Sequence, residues 1–244
     1  MSIYSERIIP EETSGGPLAS HLKRYDFARQ FCMNKTVLDA ACGVGYGSYF
    51  LSKEAKEISG VDICEEAITY AKLHYQRDNM VFKVMDIHSL DFPDGYFDMA
   101  CSFETLEHLE KPEDFLAEIR RVLKDEGRLI ISTLQARRDK KNPENPYHRA
   151  EYSLESFEKL LRKYFARVEF FGQRRKQTFL HYCLQKLDVF HLRALLTARM
   201  RRYICHAAAT RSWDEAGLED FVITQERIKQ AAELIGVCHV SRHG

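Results

Sequence analysis

The sequence predicts an α/β domain built on a mainly parallel β-sheet. Between residues 36 and 133, short apolar runs typical of strands alternate with longer stretches of helical periodicity. The first run leads through Asp39 into a turn with glycines at alternate positions, within 36–47 (TVLDAACGVGYG). The second run, at 57–62 (EISGVD), also ends in an acid. Because parallel strands end at the same edge of a sheet, these residues predict a ligand site at that edge.

The predicted elements follow one another in a regular order. Strands are predicted over 36–41, 57–62, 80–86, 97–103 and 128–133, and helices over 45–54, 65–77 and 112–124. Glutamates open the helix at 65, where the helix dipole favours negative charge. Pro112 opens the helix at 112, which is expected to stop before Gly127. Ser153 is expected to cap a helix over 154–164, and further strands are predicted over 167–171 and 233–240.

The segments before and after this pattern are interpreted as parts of a single domain that spans residues 1–244. Residues 1–34 are interpreted as an N-terminal cap with a helix over 18–31, and residues 35–172 as the core. Residues 173–230 separate two strands that would normally form a hairpin, and apolar residues between 180 and 196 recur at helical spacing. We therefore predict a helical insertion at 173–230 and a final strand and tail at 231–244.

Composition narrows the class of protein. Hydrophobic residues make up 45% of the chain and charged residues 30%, which is typical of a soluble, folded protein. No membrane span or signal peptide is predicted, and the seven dispersed cysteines favour reduced thiols and a cytoplasmic location. The zero net charge argues against nucleic acid as a partner. Nine Lys or Arg residues and one acid lie between Arg174 and Arg211, however. The basic residues are interpreted either as a solvated helix face or as a surface for an anionic substrate. The apolar residues of the same stretch are interpreted as a contact with the core or with a second subunit of a homodimer.

The glycine turn and its acids indicate the kind of ligand. Glycine lets a ligand approach the backbone closely, and Asp62 can accept hydrogen bonds from both hydroxyls of a ribose. The spacing G-x-G-x-G differs from the G-x-G-x-x-G of dinucleotide sites. Asp39 precedes the turn and suits a cationic ligand better than a pyrophosphate. The pattern therefore favours a positively charged nucleoside over NAD.

The segment 37–48 (VLDAACGVGYGS) resembles the first motif of class I S-adenosylmethionine (SAM) dependent methyltransferases. Segments 85–87 (MDI), 97–103 (FDMACSF) and 122–131 (VLKDEGRLII) are similar to later motifs of that family, although Glu126 stands where glycine is common. The resemblance implies a Rossmann-like, mostly parallel sheet of seven strands in the order 3-2-1-4-5-7-6. Its last strand is expected to be antiparallel, with helices on both faces.

The same resemblance implies SAM as the cofactor. Gly43 and Gly45 would hold its methionine part, Asp62 its ribose, and Asp86 its adenine. Arg24 lies in a segment that commonly closes over SAM, where it could pair with the ligand carboxylate; a solvated helix face is the alternative. The implied cofactor-binding residues are Arg24, Asp39, Gly43, Gly45, Asp62, Ile63, Asp86, Ile87 and Phe103.

Residues beside the fourth predicted strand suggest the chemistry. Methyl transfer from a sulfonium needs a positioned nucleophile, and a hydroxyl nucleophile also needs a base or a metal to remove its proton. The predicted catalytic residues are His108, Glu104 and His148. The segment 104–108 (ETLEH) places Glu104 on one helical face with Glu107 and His108. It is similar to Mg²⁺-binding segments of ubiquinone and small-RNA methyltransferases. In the small-RNA enzymes a downstream histidine completes the metal site, and the resemblance makes His148 the matching candidate beside Glu104, Glu107 and His108. A divalent metal is considered but not favoured, with His108 preferred as base and His148 as substrate contact.

The flanking segments suggest a substrate class. Residues 6–12, 21–28, 102–109, 145–152 and 171–174 resemble bacterial methyltransferases associated with polysaccharide and O-antigen biosynthesis. We therefore expect O-methylation of a small, sugar-containing substrate, such as an anionic glycan or a nucleotide sugar. Two alternatives remain: a C- or O-methyltransferase of a quinone or other aromatic metabolite, and a SAM-binding partner protein without turnover.

Overall fold

A computed structural model describes residues 8–13, 15–141, 143–176 and 213–241 of the chain. The strands are β1 Thr36–Ala40, β2 Glu57–Asp62, β3 Met80–Val84, β4 Phe97–Phe103, β5 Leu123–Leu134, β6 Lys140–Lys141, β7 Ala150–Glu151, β8 Arg167–Arg175, β9 Phe221–Thr224 and β10 Glu233–His239. Eight of them form one sheet in the order β3-β2-β1-β4-β5-β10-β8-β9, and β6 pairs with β7. Neighbours among β1 to β5 are parallel, whereas β10 is antiparallel to both β5 and β8.

The predicted strand order and the Rossmann-like α/β class are confirmed, and the strand number is corrected from seven to eight. The additional strand is β9, which pairs antiparallel with β8 at the sheet edge. Its sequence, FVIT, consists of aromatic and β-branched residues that favour strands, but it is only 4 residues long. It lies within residues 173–230, which the sequence analysis interprets as a helical insertion.

Helices cover both faces of the sheet: α1 Gly15–Cys32, α2 Tyr46–Leu51, α3 Glu65–His74, α4 Pro112–Val122 and α5 Leu154–Leu161. One core cluster joins Phe115 of α4 and Phe157 of α5 to Leu38 of β1. Another joins α1 and α2 to Val37, the preceding residue of the same strand. Successive strand residues point to opposite faces, so β1 supports both layers. The predicted start of α4 at Pro112 and the Ser153 cap of α5 are both confirmed.

The region predicted as an insertion is only partly described. Strand β8 continues to Arg175 and β9 begins at Phe221, so both ends of 173–230 contribute to the sheet. Strand β10 lies inside the sheet between β5 and β8, as an insertion at this point requires. The apolar repeat at 180–196 and most of the basic stretch lie outside the described residues. Within the described residues, no helix has the length and apolar character needed to cross a membrane.

The turn after β1 requires glycine for two different reasons. Gly43 and Gly45 have φ angles of 56° and 87°, in the left-handed region that favours glycine. A Cβ atom on Gly45 would lie 2.6 Å from the Phe82 ring and 2.7 Å from the Ala71 Cβ, so packing also excludes a larger residue there. A Cβ atom on Gly43 would meet no described atom within 4 Å. The backbone at Gly43 is therefore open to an approaching ligand.

Candidate active site

A cavity of about 810 Å³ opens at the carboxyl ends of β1, β2 and β4. Two groups of residues line it on opposite sides of the end of β4 at Phe103. The strand side consists of residues at the ends of strands of the parallel sheet or up to three residues beyond them: Gly43, Asp62, Ile63, Asp86 and Ile87. The loop side consists of residues from a 3₁₀ turn and from the long loop after β5: Glu107, His108, Asn145, Tyr147 and His148.

Asp62 is the anchor of the strand side. One carboxylate oxygen accepts a hydrogen bond from the Gly43 N–H at 2.9 Å, and the other accepts one from the Cys64 N–H at 2.9 Å. The side chain is buried yet lines the cavity. A carboxylate oxygen can accept more than one hydrogen bond, so ligand hydroxyls can also donate to Asp62. The position therefore fits the predicted ribose contact, and Asp62 also fixes the glycine turn.

The residues predicted at the adenine also line the cavity. Asp86 accepts hydrogen bonds from the backbone N–H of His88 at 2.9 Å and from its ring at 2.8 Å. These bonds lower the pKa of Asp86, so the carboxylate is ionised and its orientation is fixed. Ile87 is buried, and Ile63 exposes 68% of its surface. Two apolar side chains beside an ordered carboxylate suit a flat, polar-edged ring such as adenine.

Asp39 and Arg24 occupy positions that the sequence did not predict. Asp39 lies beneath the glycine turn, only 1% exposed, where the Ser48 hydroxyl donates to it at 2.6 Å. Burial raises the pKa of Asp39 to about 6. Arg24 is fully buried, which excludes the solvated helix face. Its guanidinium donates to Glu104 instead of facing the cavity. Neither residue is among those that line the cavity.

The loop side is assembled around Glu107 and His108 in the 3₁₀ turn Leu106–His108. Glu107 is fully buried and accepts a hydrogen bond from the Thr133 hydroxyl at 2.8 Å, and burial raises its pKa. The Arg149 N–H donates to the Glu107 carbonyl at 2.7 Å, which holds the loop after β5 against the turn. His108 Nδ1 lies 3.0 Å from the Tyr147 carbonyl oxygen. The rings of His108 and His148 are 5.0 Å apart, edge to face.

Glu104 does not join this group, which corrects the predicted shared helical face. It precedes the 3₁₀ turn with a φ of 50°, and its carboxylate binds Arg24 and His21. The proposed four-residue metal set is therefore not assembled. Atoms of Glu107, His108 and His148 that could serve as ligands lie within 4.8 Å of one another. Two imidazoles and one carboxylate suit a transition metal better than Mg²⁺.

Sequence reasoning missed His21 and Tyr46, which also line the cavity. His21 lies 2.9 Å from the Glu104 carboxylate and 2.8 Å from the Tyr46 hydroxyl oxygen. Tyr46 stands inside the glycine motif, so its place beside the ligand could have been inferred. His21 carried no such signal, because the contact depends on how α1 packs against the sheet.

Comparisons with known proteins agree with this fold. Residues 38–131 match the protein family described as "Methyltransferase domain". A "Probable S-adenosylmethionine-dependent methyltransferase" of Mycolicibacterium smegmatis is 28% identical over 197 residues, which cover 78% of this chain and 71% of that protein. A ubiquinone biosynthesis O-methyltransferase of Coxiella burnetii is 33% identical over 102 residues, covering 41% of this chain and 44% of that protein.

Solved structures share the fold. A SAM-dependent methyltransferase from Thermotoga maritima superposes with a TM-score of 0.61 at 16% identity, covering 92% of each chain. At this identity the likeness supports the architecture alone. The matched domain at 38–131 contains the glycine turn, Asp62, Asp86 and Phe103. Residues 38–131 are therefore a methyltransferase domain, and the protein is an enzyme whose cofactor is SAM.

Proposed function

We propose that the enzyme methylates a hydroxyl of a small, sugar-containing substrate, with His108 as the base. The observation that carries this proposal is the orientation of the His108 ring. A backbone carbonyl can only accept, so the contact with Tyr147 assigns a proton to Nδ1. In the neutral ring Nε2 is then the basic nitrogen. His108 lines the cavity one short turn beyond the end of β4, where the methyl acceptor is expected.

The chemistry divides between the two sides of the cavity. When bound, SAM would supply the sulfonium methyl group that the acceptor oxygen takes, with S-adenosylhomocysteine as the leaving group. In this proposal, His108 Nε2 takes the proton that the acceptor hydroxyl releases, and the Tyr147 carbonyl stabilises the resulting imidazolium at Nδ1. The strand side holds the cofactor through Asp62 and Asp86. Neither Glu104 nor a metal is required for the proton transfer.

The polar groups of the loop side support a hydroxyl-rich acceptor. Asn145 lies 3.1 Å from His148 Nε2, and both side chains line the cavity. Amide and imidazole groups can both donate to and accept from sugar hydroxyls. His148 therefore serves as a substrate contact in this proposal. The resemblance to polysaccharide-associated methyltransferases favours the same substrate class, with the basic insertion available for an anionic part of the substrate.

A quinone or other aromatic metabolite is the second candidate acceptor. The Coxiella burnetii relative described above is named as an O-methyltransferase of ubiquinone biosynthesis. Its match covers less than half of either chain. The exposed Tyr147 side chain offers the loop side an aromatic surface for such a ring. We favour the sugar because Glu107, Asn145 and His148 place polar groups around the same space.

The wider proposal is a single cytoplasmic domain that acts in polysaccharide biosynthesis. Residues 173–230 form an insertion in that domain, and two copies of the protein form a homodimer through it.

Isotope-labelled SAM incubated with the enzyme and with fractions of small molecules from the source organism tests the substrate class. We expect the label on the oxygen of a sugar-containing compound. Label on an aromatic compound supports the second candidate, and label on nitrogen or carbon of a sugar contradicts the proposed base chemistry.

A further inference from the structure

Three polar side chains link the N-terminal helix to the glycine turn and to the end of β4. The Tyr46 hydroxyl oxygen lies 2.8 Å from His21 Nδ1, and His21 Nε2 lies 2.9 Å from Glu104 Oε2. We call Tyr46, His21 and Glu104 the relay. All three line the cavity, whereas Arg24, which donates to the other Glu104 oxygen, is fully buried behind them.

The charge of Glu104 fixes the direction of every hydrogen bond in the relay. Burial alone would raise the pKa of Glu104, but Arg24 and His21 outweigh it and hold that pKa well below its usual range. An ionised carboxylate only accepts, so His21 Nε2 carries the proton and donates to it. Burial lowers the pKa of His21, which keeps the ring neutral and leaves Nδ1 without a proton. The Tyr46 hydroxyl therefore donates to Nδ1.

The relay consequently presents acceptors to the cavity and no donors. The Tyr46 and His21 protons are both donated to other members of the relay. The groups that can still bind a ligand are the lone pairs of the Tyr46 oxygen and of the Glu104 carboxylate. A ligand carboxylate needs donors and finds none in these three side chains. An ammonium group carries three N–H donors and no acceptor. The relay therefore matches an ammonium group and mismatches a carboxylate.

The position of the relay indicates which ammonium group it meets. Asp62 ends β2 and Asp86 follows β3, whereas Glu104 follows β4, on the other side of β1 in the sheet. Asp62 accepts a hydrogen bond from the Gly43 N–H, and the glycine turn leads directly into Tyr46 at the start of α2. If the ribose of SAM binds Asp62, its amino-acid part would therefore be able to reach the relay. We propose that the relay binds the α-ammonium group of SAM, with Arg24 acting from behind as a positioning residue for Glu104. This assignment replaces the predicted pairing of Arg24 with the ligand carboxylate.

The test compares the affinities of three adenosine thioethers for the Tyr46→Phe variant. S-adenosylhomocysteine has both the ammonium and the carboxylate, its deaminated analogue keeps only the carboxylate, and 5′-methylthioadenosine has neither. We expect calorimetry to show about tenfold or more weaker binding of S-adenosylhomocysteine, because a hydrogen bond to a charged group is lost. Binding of the other two ligands should stay within about twofold of wild type.

Tyr49→Phe is the matched control, because it removes the same hydroxyl from the same helix outside the cavity. It should leave all three affinities unchanged. Glu104→Gln, checked for folding by thermal unfolding, should repeat the ligand pattern of Tyr46→Phe. The proposal is overturned if Tyr46→Phe leaves S-adenosylhomocysteine unaffected, weakens the deaminated analogue as much, or weakens 5′-methylthioadenosine equally. The last result would assign Tyr46 a purely structural role in the glycine turn.

Discussion

On the strand side of the cavity, each residue lies at the end of a strand of the parallel sheet or within three residues of it, close in sequence to the motif that predicts it. On the loop side, His108 is oriented by the carbonyl of Tyr147, 39 residues away in sequence. Glu107 is likewise held by a backbone bond from Arg149 and a side-chain bond from Thr133. The strand side is thus a product of local structure, and the loop side is a product of tertiary packing.

The difference explains how one fold can keep its cofactor and vary its acceptor. The glycine turn and Asp62 depend on the sheet, so replacing the loop after β5 leaves them in place. His108 depends on that loop for its tautomer and orientation. We therefore expect changes on the strand side to alter cofactor affinity, and changes on the loop side to alter turnover. The predictions below test this separation, from the largest expected effect to the smallest.

His108→Ala should lower the methyl-transfer rate by about 10²–10⁴-fold, the usual contribution of a general base. SAM affinity should stay within about twofold, because the loop side is separate from the cofactor contacts. Single-turnover kinetics with the identified acceptor measures the first quantity, and calorimetry the second. His74→Ala, an exposed histidine on α3, is the control. A large loss of SAM affinity in His108→Ala would contradict the separation.

Asp39→Asn should change how protein stability depends on pH. Burial raises the pKa of Asp39 from 3.8 to about 6 in the folded protein. Between those values the folded state retains a proton that the unfolded state has released, so Asp39 lowers stability as pH rises. The full effect is about 3 kcal/mol, present above pH 6 and absent below about pH 4.

Urea unfolding of wild type and Asp39→Asn at several pH values measures this effect. The free energy of unfolding of the variant, minus that of wild type, should increase between about pH 4 and 6 and then level off. Comparing the two proteins cancels the titration of the other groups. A difference that does not vary with pH would show that Asp39 has an ordinary pKa and is not buried under the turn.

Asp62→Ala should weaken SAM binding by about 1.5–3 kcal/mol, as expected for hydrogen bonds to a charged group. The loss includes the bond that holds the Gly43 N–H, so the turn itself becomes less ordered. Calorimetry with SAM and S-adenosylhomocysteine measures it. The control variant Asp125→Ala, which changes an exposed acid of β5, should bind both ligands as wild type does. If the Asp62→Ala variant binds SAM with unchanged affinity, Asp62 does not contact the ribose.

Treatment with EDTA should leave activity within about twofold of the untreated enzyme. Glu104 is engaged by Arg24 and His21, and the buried Glu107 has a raised pKa, so the carboxylates that a hard cation prefers are not assembled. Activity measured after chelation and after addition of Mg²⁺, Mn²⁺ or Zn²⁺ checks this. If EDTA abolishes activity and one metal restores it, Glu107, His108 and His148 would instead be assigned as the ligands of that metal.

Much of the fold followed from the sequence because strand periodicity, helix caps and the glycine motif are local signals. The start of α4 at Pro112 and the Ser153 cap were predicted in this way, and the sheet order was predicted from the resemblance of the motifs to a known family. Strand β9 was missed because four residues give too short a pattern. Arg24 was predicted at the ligand from its place in the N-terminal segment, and Asp39 from its place before the glycine turn, whereas both are buried with hydrogen-bond partners.

The site was predictable to the extent that it depends on strand ends. Asp62, Asp86 and Phe103 line the cavity as the motifs indicated. Glu104 was placed with Glu107 and His108 on the assumption of a regular helix, but its positive φ turns it toward α1. The contacts of His21 also depend on helix packing across the sheet, which no short sequence pattern encodes.

A crystal structure of the complex with S-adenosylhomocysteine tests the division of the cavity most directly. The ribose hydroxyls should bind the Asp62 carboxylate, the adenine should lie between Ile63 and Ile87, and the sulfur should face His108. A ligand whose sulfur faces away from the loop side, or whose ribose lies away from Asp62, would contradict the account.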